Sequence, residues 1–201
     1  MNKIKEGDIV EAQIEFTTSG NASIKLEGKE FFIHRKKTKN SLHLDTILAE
    51  LFKGPKGKIE AKVLEVKERF KEDFVGTVHI NGENVFVIPD NTKISVDFYI
   101  KGESDAKNGQ KVLVKMINWE EGKKSPKAKI TKILGEIGEN NTEMNAIMYE
   151  YGLPVEFPQI VLNESELVPE VITEKEIKQR RDMRDVLTFT IDPEDAKDFD
   201  D

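Results

Sequence analysis

Apolar and polar residues alternate with a period close to two through most of the first two thirds of the chain, in short runs divided by turn residues. Residues 9–16 form one run and lead into Ser19-Gly20-Asn21. Residues 22–26 form the next, before Glu27-Gly28-Lys29, and Phe31-Phe32-Ile33-His34 follows. After a polar stretch, residues 58–66 alternate again. A second set then begins. Residues 74–80 pass through Asn81-Gly82, a dipeptide suited to tight hairpin turns, into 84–88, and runs at 97–100, 112–117 and 128–134 complete it. Beyond Gly135 the period lengthens. Asn141-Thr142 is placed to cap a short helix with Met144, Ile147, Met148 and Tyr151, stopped by Gly152 and Pro154. A stretch broken by Pro154, Pro158 and Pro169 comes next. Thr173-Glu174-Lys175-Glu176 is a capping-box signature that predicts a charged helix reaching about Asp182. The apolar run 186–191 is expected to be a strand.

The two sets of strands match internally. Glu30-Phe31-Phe32-Ile33 echoes Asp97-Phe98-Tyr99-Ile100, and Lys62-Val63-Leu64-Glu65-Val66 echoes the run 129–134. Each set occupies roughly 60 residues and about five strands, which fits a small barrel of the oligonucleotide-binding (OB) type. Other small β folds share such a pattern. The fold expected is therefore mainly β: two tandem OB-fold barrels at 1–70 and 71–136, a helical connector at 137–185, and one further strand opening a new region at 186–201.

Composition narrows the setting. No apolar stretch approaches a membrane span, and the first eight residues lack a signal peptide's apolar segment. The absence of cysteine rules out disulfides and thiolate zinc sites, and it fits a cytoplasmic protein. The net charge of −7 divides unevenly: residues 1–71 carry +4 and the remainder −11. A basic front and an acidic rear suit nucleic-acid contact followed by a metal-carrying segment, although unevenly spread solvated charge gives the same pattern.

Small barrels bind single strands through exposed aromatics that stack on bases, beside cations that track phosphates. Strand alternation places Phe31 and Ile33 on one face and Phe32 and His34 on the other. His34 runs into Arg35-Lys36-Lys37-Thr38-Lys39, a basic loop. In the second set Tyr99 and Lys101 take the equivalent outward positions, with Phe86 on a neighbouring strand. The RNA-contacting candidates are thus Phe32, His34, Lys36, Phe86, Tyr99 and Lys101; each aromatic, taken singly, is equally a core residue. Trp119 is assigned to packing.

Four carboxylates, Asp192, Asp198, Asp200 and Asp201, fall within ten positions behind the apolar run. Such a cluster is either a solvated acidic turn or a set of hard oxygen ligands for a divalent ion. An EF-hand is a poor match, because Ala196 occupies a ligand position and no glycine falls at the bend.

The run Thr190-Ile191-Asp192-Pro193-Glu194-Asp195-Ala196-Lys197-Asp198-Phe199-Asp200-Asp201 resembles the opening of the catalytic domain in the ribonuclease II/ribonuclease R family. The resemblance extends upstream through two cold-shock-like barrels, Leu134-Gly135, Asn141-Thr142-Glu143 and Tyr151-Gly152-Leu153-Pro154. It implies a Mg²⁺-dependent, hydrolytic 3′→5′ exoribonuclease acting on single-stranded RNA and releasing nucleoside 5′-monophosphates. By the same resemblance Asp192, Asp198, Asp200 and Asp201 match the active-site aspartates. Asp192, Asp198 and Asp201 would hold Mg²⁺, and cleavage would depend most on Asp200. The remainder of that family's catalytic domain, its terminal S1 barrel and a helical N-terminal extension have no counterpart in this sequence. The chain accordingly reads as an N-terminal portion, monomeric and inactive alone. In the first barrel Asn21, Ala22, Ser23 and Ile24 stand where stacking rings are expected, which weakens the case for RNA binding there. The alternative is a free-standing RNA-binding or RNA-chaperone module without catalysis.

Overall fold

The computed structural model describes residues 4–55, 57–102, 104–189 and 191. They divide into two compact units, 1–155 and 156–201.

The first unit holds both sets of strands. β1 (Ile9–Phe16), β2 (Ala22–Leu26), β3 (Lys29–Ile33), β4 (Thr46–Lys53) and β5 (Ile59–Glu68) form one antiparallel sheet in the order β3-β2-β1-β4-β5. Inward positions alternate along every strand and fill the core with Ile14, Ile24, Ile33, Ile47 and Leu51, all with no exposed surface. The sheet curls until its outer strands β3 and β5 come into contact. β4 lies in the stretch that the sequence pattern left without a strand. Its inner face is Ile47, Ala49 and Leu51, but Leu48 and Phe52 on its outer face mask the alternation. Phe52 is covered there by the Lys37 ammonium, 3.6 Å from its ring centre.

β6 (Asp73–Asn81), β7 (Asn84–Pro89), β8 (Phe98–Ile100), β9 (Gln110–Asn118) and β10 (Lys127–Glu136) close fully into a barrel. Closure comes from a short parallel ladder between β8 and β10, with the Tyr99 amide donating to the Pro126 carbonyl at 2.8 Å and the Lys101 amide to the Ala128 carbonyl at 2.9 Å. The Asn81-Gly82 turn forms as the sequence predicts, Gly82 taking φ +60° in a two-residue loop between paired Asn81 and Asn84. Inside, Phe74 and Phe98 pack at 4.7 Å between ring centres among Val78, Val87, Val112 and Val114. Gly76 sits where β6 and β7 press together: a Cβ there would lie 2.4 Å from the Ile88 carbonyl oxygen.

The two barrels share a packed junction. Leu42, from the loop before β4, is buried in the core of the second barrel. Beside it the Asp45 carboxylate, 1% exposed, accepts from the Leu42 and Phe70 amides and from the Arg69 guanidinium. Asn40 donates to the Trp119 carbonyl at 2.9 Å, and Trp119 packs on the second core, as expected of it.

α1 (Asn140–Glu150) lies on the second barrel through buried Thr142 and Ala146, pinned by Lys71–Glu150 (2.6 Å) and Lys111–Glu143 (3.4 Å). Asn141 and Thr142 fall inside its first turn rather than at its cap, which is Glu139. Its end follows the expected stop. Gly152 adopts φ +68°, and the Leu153 amide returns to the Met148 carbonyl at 2.8 Å.

In the second unit, α2 (Gln159–Glu166) starts after Pro158 within the stretch the prolines seemed to break, since proline is tolerated where a helix begins. α3 (Glu174–Gln179) carries the predicted capping box, Thr173 and Glu176 bonding each other's backbone amides, but ends three residues earlier than expected. Residues 186–189 are not a strand. The Val186 amide closes a turn onto the Met183 carbonyl, and Leu187 and Phe189 are exposed. An extended segment needs a ladder partner to stay a strand, and the described residues offer it none.

Candidate nucleic-acid interface

Strand alternation turns one side of the closed barrel outward. On β7, Val85 and Val87 face the core, which leaves Phe86 and Ile88 outside; on β8, Phe98 and Ile100 face in and Tyr99 out. Register then lines these residues up. His79 on β6 pairs with Phe86, Phe86 with Tyr99, and Tyr99 with Lys127 on β10. The result is a row of three rings across three adjacent strands, ending on a cation. Phe86 and Tyr99 meet edge to face, 5.6 Å between centres at 61°. Ile88, opposite Thr77, extends the apolar surface beside them and is 41% exposed. Lys127 bonds the Glu120 carboxylate, and this hydrogen bond, with the attraction of the same ammonium, holds Glu120 below the usual carboxylate range. Lys101 is exposed just past the end of β8.

The structure therefore brings Phe86 and Tyr99 together and adds His79, which the sequence reading overlooked. The signal was present. A two-residue loop after Asn81 fixes residue 79 opposite residue 86, and alternation from Val78 puts it outside.

The corresponding row on the first barrel runs Glu15, Ser23, Phe32 across β1, β2 and β3. Phe32 is 44% exposed, but its neighbours are a hydroxyl and a carboxylate rather than rings. Ser23 donates to Glu30 at 2.6 Å. Glu15 is held ionised by its hydrogen bond from Lys25 at 2.9 Å. His34 lies beyond β3, where its Nδ1 accepts the Lys36 amide at 3.2 Å and caps the short 3₁₀ turn Arg35–Lys37. That turn carries Lys36 away from Phe32. Phe32 lines a depression with Ser23 and Lys58, whereas Lys36 lines a cleft with Trp119 and Lys123.

Asp192, Asp198, Asp200 and Asp201 lie outside the described residues. Among the described residues no group of three or more His, Asp or Glu side chains is arranged to hold a metal ion, and no helix is long and apolar enough to cross a membrane.

The chain is similar to known proteins along most of its length. A family model described as a cold shock domain matches residues 86–158. Ribonuclease R of Thermotoga maritima is 34% identical over 200 residues, covering 96% of this chain and 28% of its own. Ribonuclease R of Aquifex aeolicus is 35% identical over 176 residues, covering 87% of this chain and 25% of its own. The chain thus spans about a quarter of the length of these relatives. Among solved structures, RNase R of Mycoplasma genitalium in its apo form superposes with a TM-score of 0.67 at 13% identity, over 85% of this chain and 28% of that one. The same protein has been solved in complex with ribose-methylated single-stranded RNA, with a TM-score of 0.65 over the same shares at 14% identity. At these identities the superpositions speak for the fold. The resemblance to ribonuclease R itself rests on the sequence matches, which run nearly the whole length of the chain.

Proposed function

From a chain related to ribonuclease R along nearly its whole length, we propose the N-terminal, RNA-gathering part of a hydrolytic 3′→5′ exoribonuclease. The observation that carries this reading is the row His79–Phe86–Tyr99 on the closed barrel. Three rings on one outward face offer bases a stacking surface that accepts any sequence, as a degradative enzyme needs. The cation at the end of the row and the exposed Lys101 lie beside that surface, where a phosphate backbone passes. The barrel supplies rigidity: the outward rings stand on strands whose inward residues pack into the core, Val78, Val87 and Phe98 with no exposed surface.

In the longer enzyme, hydrolysis would fall to the acidic run. Its oxygen donors are of the hard kind Mg²⁺ takes, with Asp192, Asp198 and Asp201 as ligands and Asp200 beside them. When bound, the ion supplies positive charge that polarises a scissile phosphate and acidifies water. The barrels' part is to hold a single strand and deliver its 3′ end.

Two assays test the reading. Fluorescence anisotropy of the 201-residue chain with a labelled oligouridylate is expected to show salt-sensitive binding, weakened by about 1–3 kcal/mol for each stacked base lost in Phe86→Ala or Tyr99→Ala. Unchanged affinity in both variants removes the stacking surface. In the longer enzyme, Mg²⁺-dependent release of nucleoside 5′-monophosphates is expected, abolished by Asp200→Asn while RNA affinity persists. Release that survives this substitution contradicts the role given to Asp200.

A further inference from the structure

The first barrel leaves open the joint that the second one closes. In the second, the Tyr99 amide donates to the Pro126 carbonyl and the Lys101 amide to the Ala128 carbonyl. Phe31-Phe32-Ile33 aligns with Phe98-Tyr99-Ile100, and Ala61-Lys62-Val63 with Ala128-Lys129-Ile130. The matching bonds would therefore run from the Phe32 amide to the Ile59 carbonyl and from the His34 amide to the Ala61 carbonyl. Neither is formed, and among the described residues no backbone hydrogen bond joins β3 to β5. The two-residue loop Glu27-Gly28 makes Leu26 and Lys29 a hydrogen-bonded pair, so alternation turns the backbone groups of Glu30 and Phe32 outward, toward the seam. On β5, Ala61 sits opposite Leu51, whose own amide and carbonyl bond Asp8 and Gly7, so Ala61 faces the seam as well. The first barrel thus carries an unpaired strand edge.

A depression of about 590 Å³ lies over this edge, lined by Glu30 and Phe32 from β3, Ile59 and Glu60 from β5, Pro55 and Lys58 from the turn between β4 and β5, and Ser23. Phe32, Pro55 and Ile59 give it an apolar floor. Its charge is acidic, two carboxylates against the ammonium of Lys58. Glu30 accepts the Ser23 hydroxyl, and neither Glu30 nor Glu60 has an ion-pair partner among the described residues. The cations nearest along the sheet are already taken: Lys25 by Glu15 at 2.9 Å and Lys62 by Glu50 at 3.1 Å. Such a lining repels a phosphate backbone and attracts a cation.

We propose that the open seam of the first barrel is a protein-docking site, which takes an extended peptide segment of a partner protein as an added strand on the edge of β3. Backbone bonds to Glu30 and Phe32 supply the pairing, and the side chains beside them select the partner. Antiparallel pairing, the more stable arrangement, sets one peptide residue opposite Phe32 and the residue two positions later opposite Glu30, both on the outward face. The segment recognised is then an apolar residue, any residue, and a lysine or arginine. Phe32 and Ile59 receive the first, Glu30 and Glu60 the last. The inference stands apart from the RNA-binding reading and gives the first barrel a task for which Glu15, Ser23 and Glu30 are suited, where stacking on nucleic acid is not.

The test titrates the isotopically labelled 201-residue chain with a capped pentapeptide, threonine throughout except for valine at its second position and lysine at its fourth. Affinity is read by fluorescence anisotropy and backbone pairing by the solvent exchange of individual amides. The Glu30 and Phe32 amides are expected to exchange freely in the protein alone and to slow when peptide is added. Methylating the valine nitrogen of the peptide is expected to weaken binding by about three- to tenfold, one lost hydrogen bond. Phe32→Ala, and Glu30→Gln combined with Glu60→Gln, are each expected to weaken it by about two- to fivefold, while oligouridylate affinity stays at the wild-type value. Glutamate in place of the peptide's lysine is expected to weaken it further. The proposal is overturned if millimolar peptide leaves the Glu30 and Phe32 amides unprotected, or if the N-methylated peptide binds as well as the parent. Protection of these amides by oligouridylate instead would make the seam a nucleic-acid site. Protection that rises with protein concentration alone, together with a dimer in sedimentation, would place a second copy there. Loss of peptide binding in the longer enzyme would show the seam already filled by that chain's own later segments. Each of these three results also contradicts the proposal.

Discussion

The two barrels are built on one plan and differ on one face. Their third strands superpose in pattern: Phe31, Phe32, Ile33 in the first and Phe98, Tyr99, Ile100 in the second, with the outer two buried and the middle one turned out. Across the sheet, however, the second barrel continues the row with Phe86 and His79, and the first continues it with Ser23 and Glu15. The inward residues preserve a fold. The outward residues, under no packing constraint, are free to carry binding in one copy and to lose it in the other. Closure differs too. Only the second barrel, within the described residues, joins its third and fifth strands by hydrogen bonds. The strand that carries Tyr99 is thereby fixed on both sides, a rigid mount for a stacking ring.

The largest expected effect comes from breaking the plan itself. Phe98 is fully buried against Phe74, and Phe98→Ala is expected to destabilise the second barrel by about 3–5 kcal/mol in denaturant unfolding. Gly76→Ala is expected to cost about 1–3 kcal/mol, because the added carbon meets the Ile88 backbone, which has no room to move inside a paired strand.

Next come changes confined to the outward rows. Installing a ring in the first barrel, Ser23→Phe beside Phe32, is expected to strengthen RNA binding by about 1–3 kcal/mol if stacking surface is what that barrel lacks. A null result in anisotropy would show that the row needs more than a second ring, Glu15 being the next candidate.

The smallest effect concerns pH. His43 sits at the junction of the barrels, and burial first, then the charge of Lys93, lowers its pKa below the ordinary 6.5; Lys71 acts in the same direction and Glu15 against it. Unfolded chains take up a proton on this ring near pH 6.5, while the folded ring stays neutral. The unfolded state therefore binds more protons in that window, and stability falls as pH drops through and below it. Thermal midpoints measured between pH 8 and 5 are expected to decline, with the decline reduced in His43→Gln.

Much of this was legible in the residues. Period-two alternation gave nine of the strands because their inner faces are uniformly apolar, and Asn81-Gly82 fixed the hairpin that aligns His79 with Phe86. β4 escaped because Leu48 and Phe52 are apolar on its outer face, Phe52 beneath Lys37. Sequence adjacency to His34 says nothing of the 3₁₀ turn that sets Lys36 in the cleft with Trp119 rather than beside Phe32. Of the strand expected at 186–191, the described residues 186–189 form none for want of a partner, since apolar character alone does not make a ladder. The parallel pairing of β8 with β10, and the cleft between the barrels, depend on contacts between distant segments that no local pattern records.

The most direct test of the account is a nuclear magnetic resonance titration of the isotopically labelled 201-residue chain with a short oligouridylate, following amide and ring signals. Perturbations concentrated at His79, Phe86 and Tyr99, with Glu15, Ser23 and Phe32 unmoved, are the predicted result. Perturbations of equal or greater size on the first barrel's row would contradict the division of labour between the two barrels.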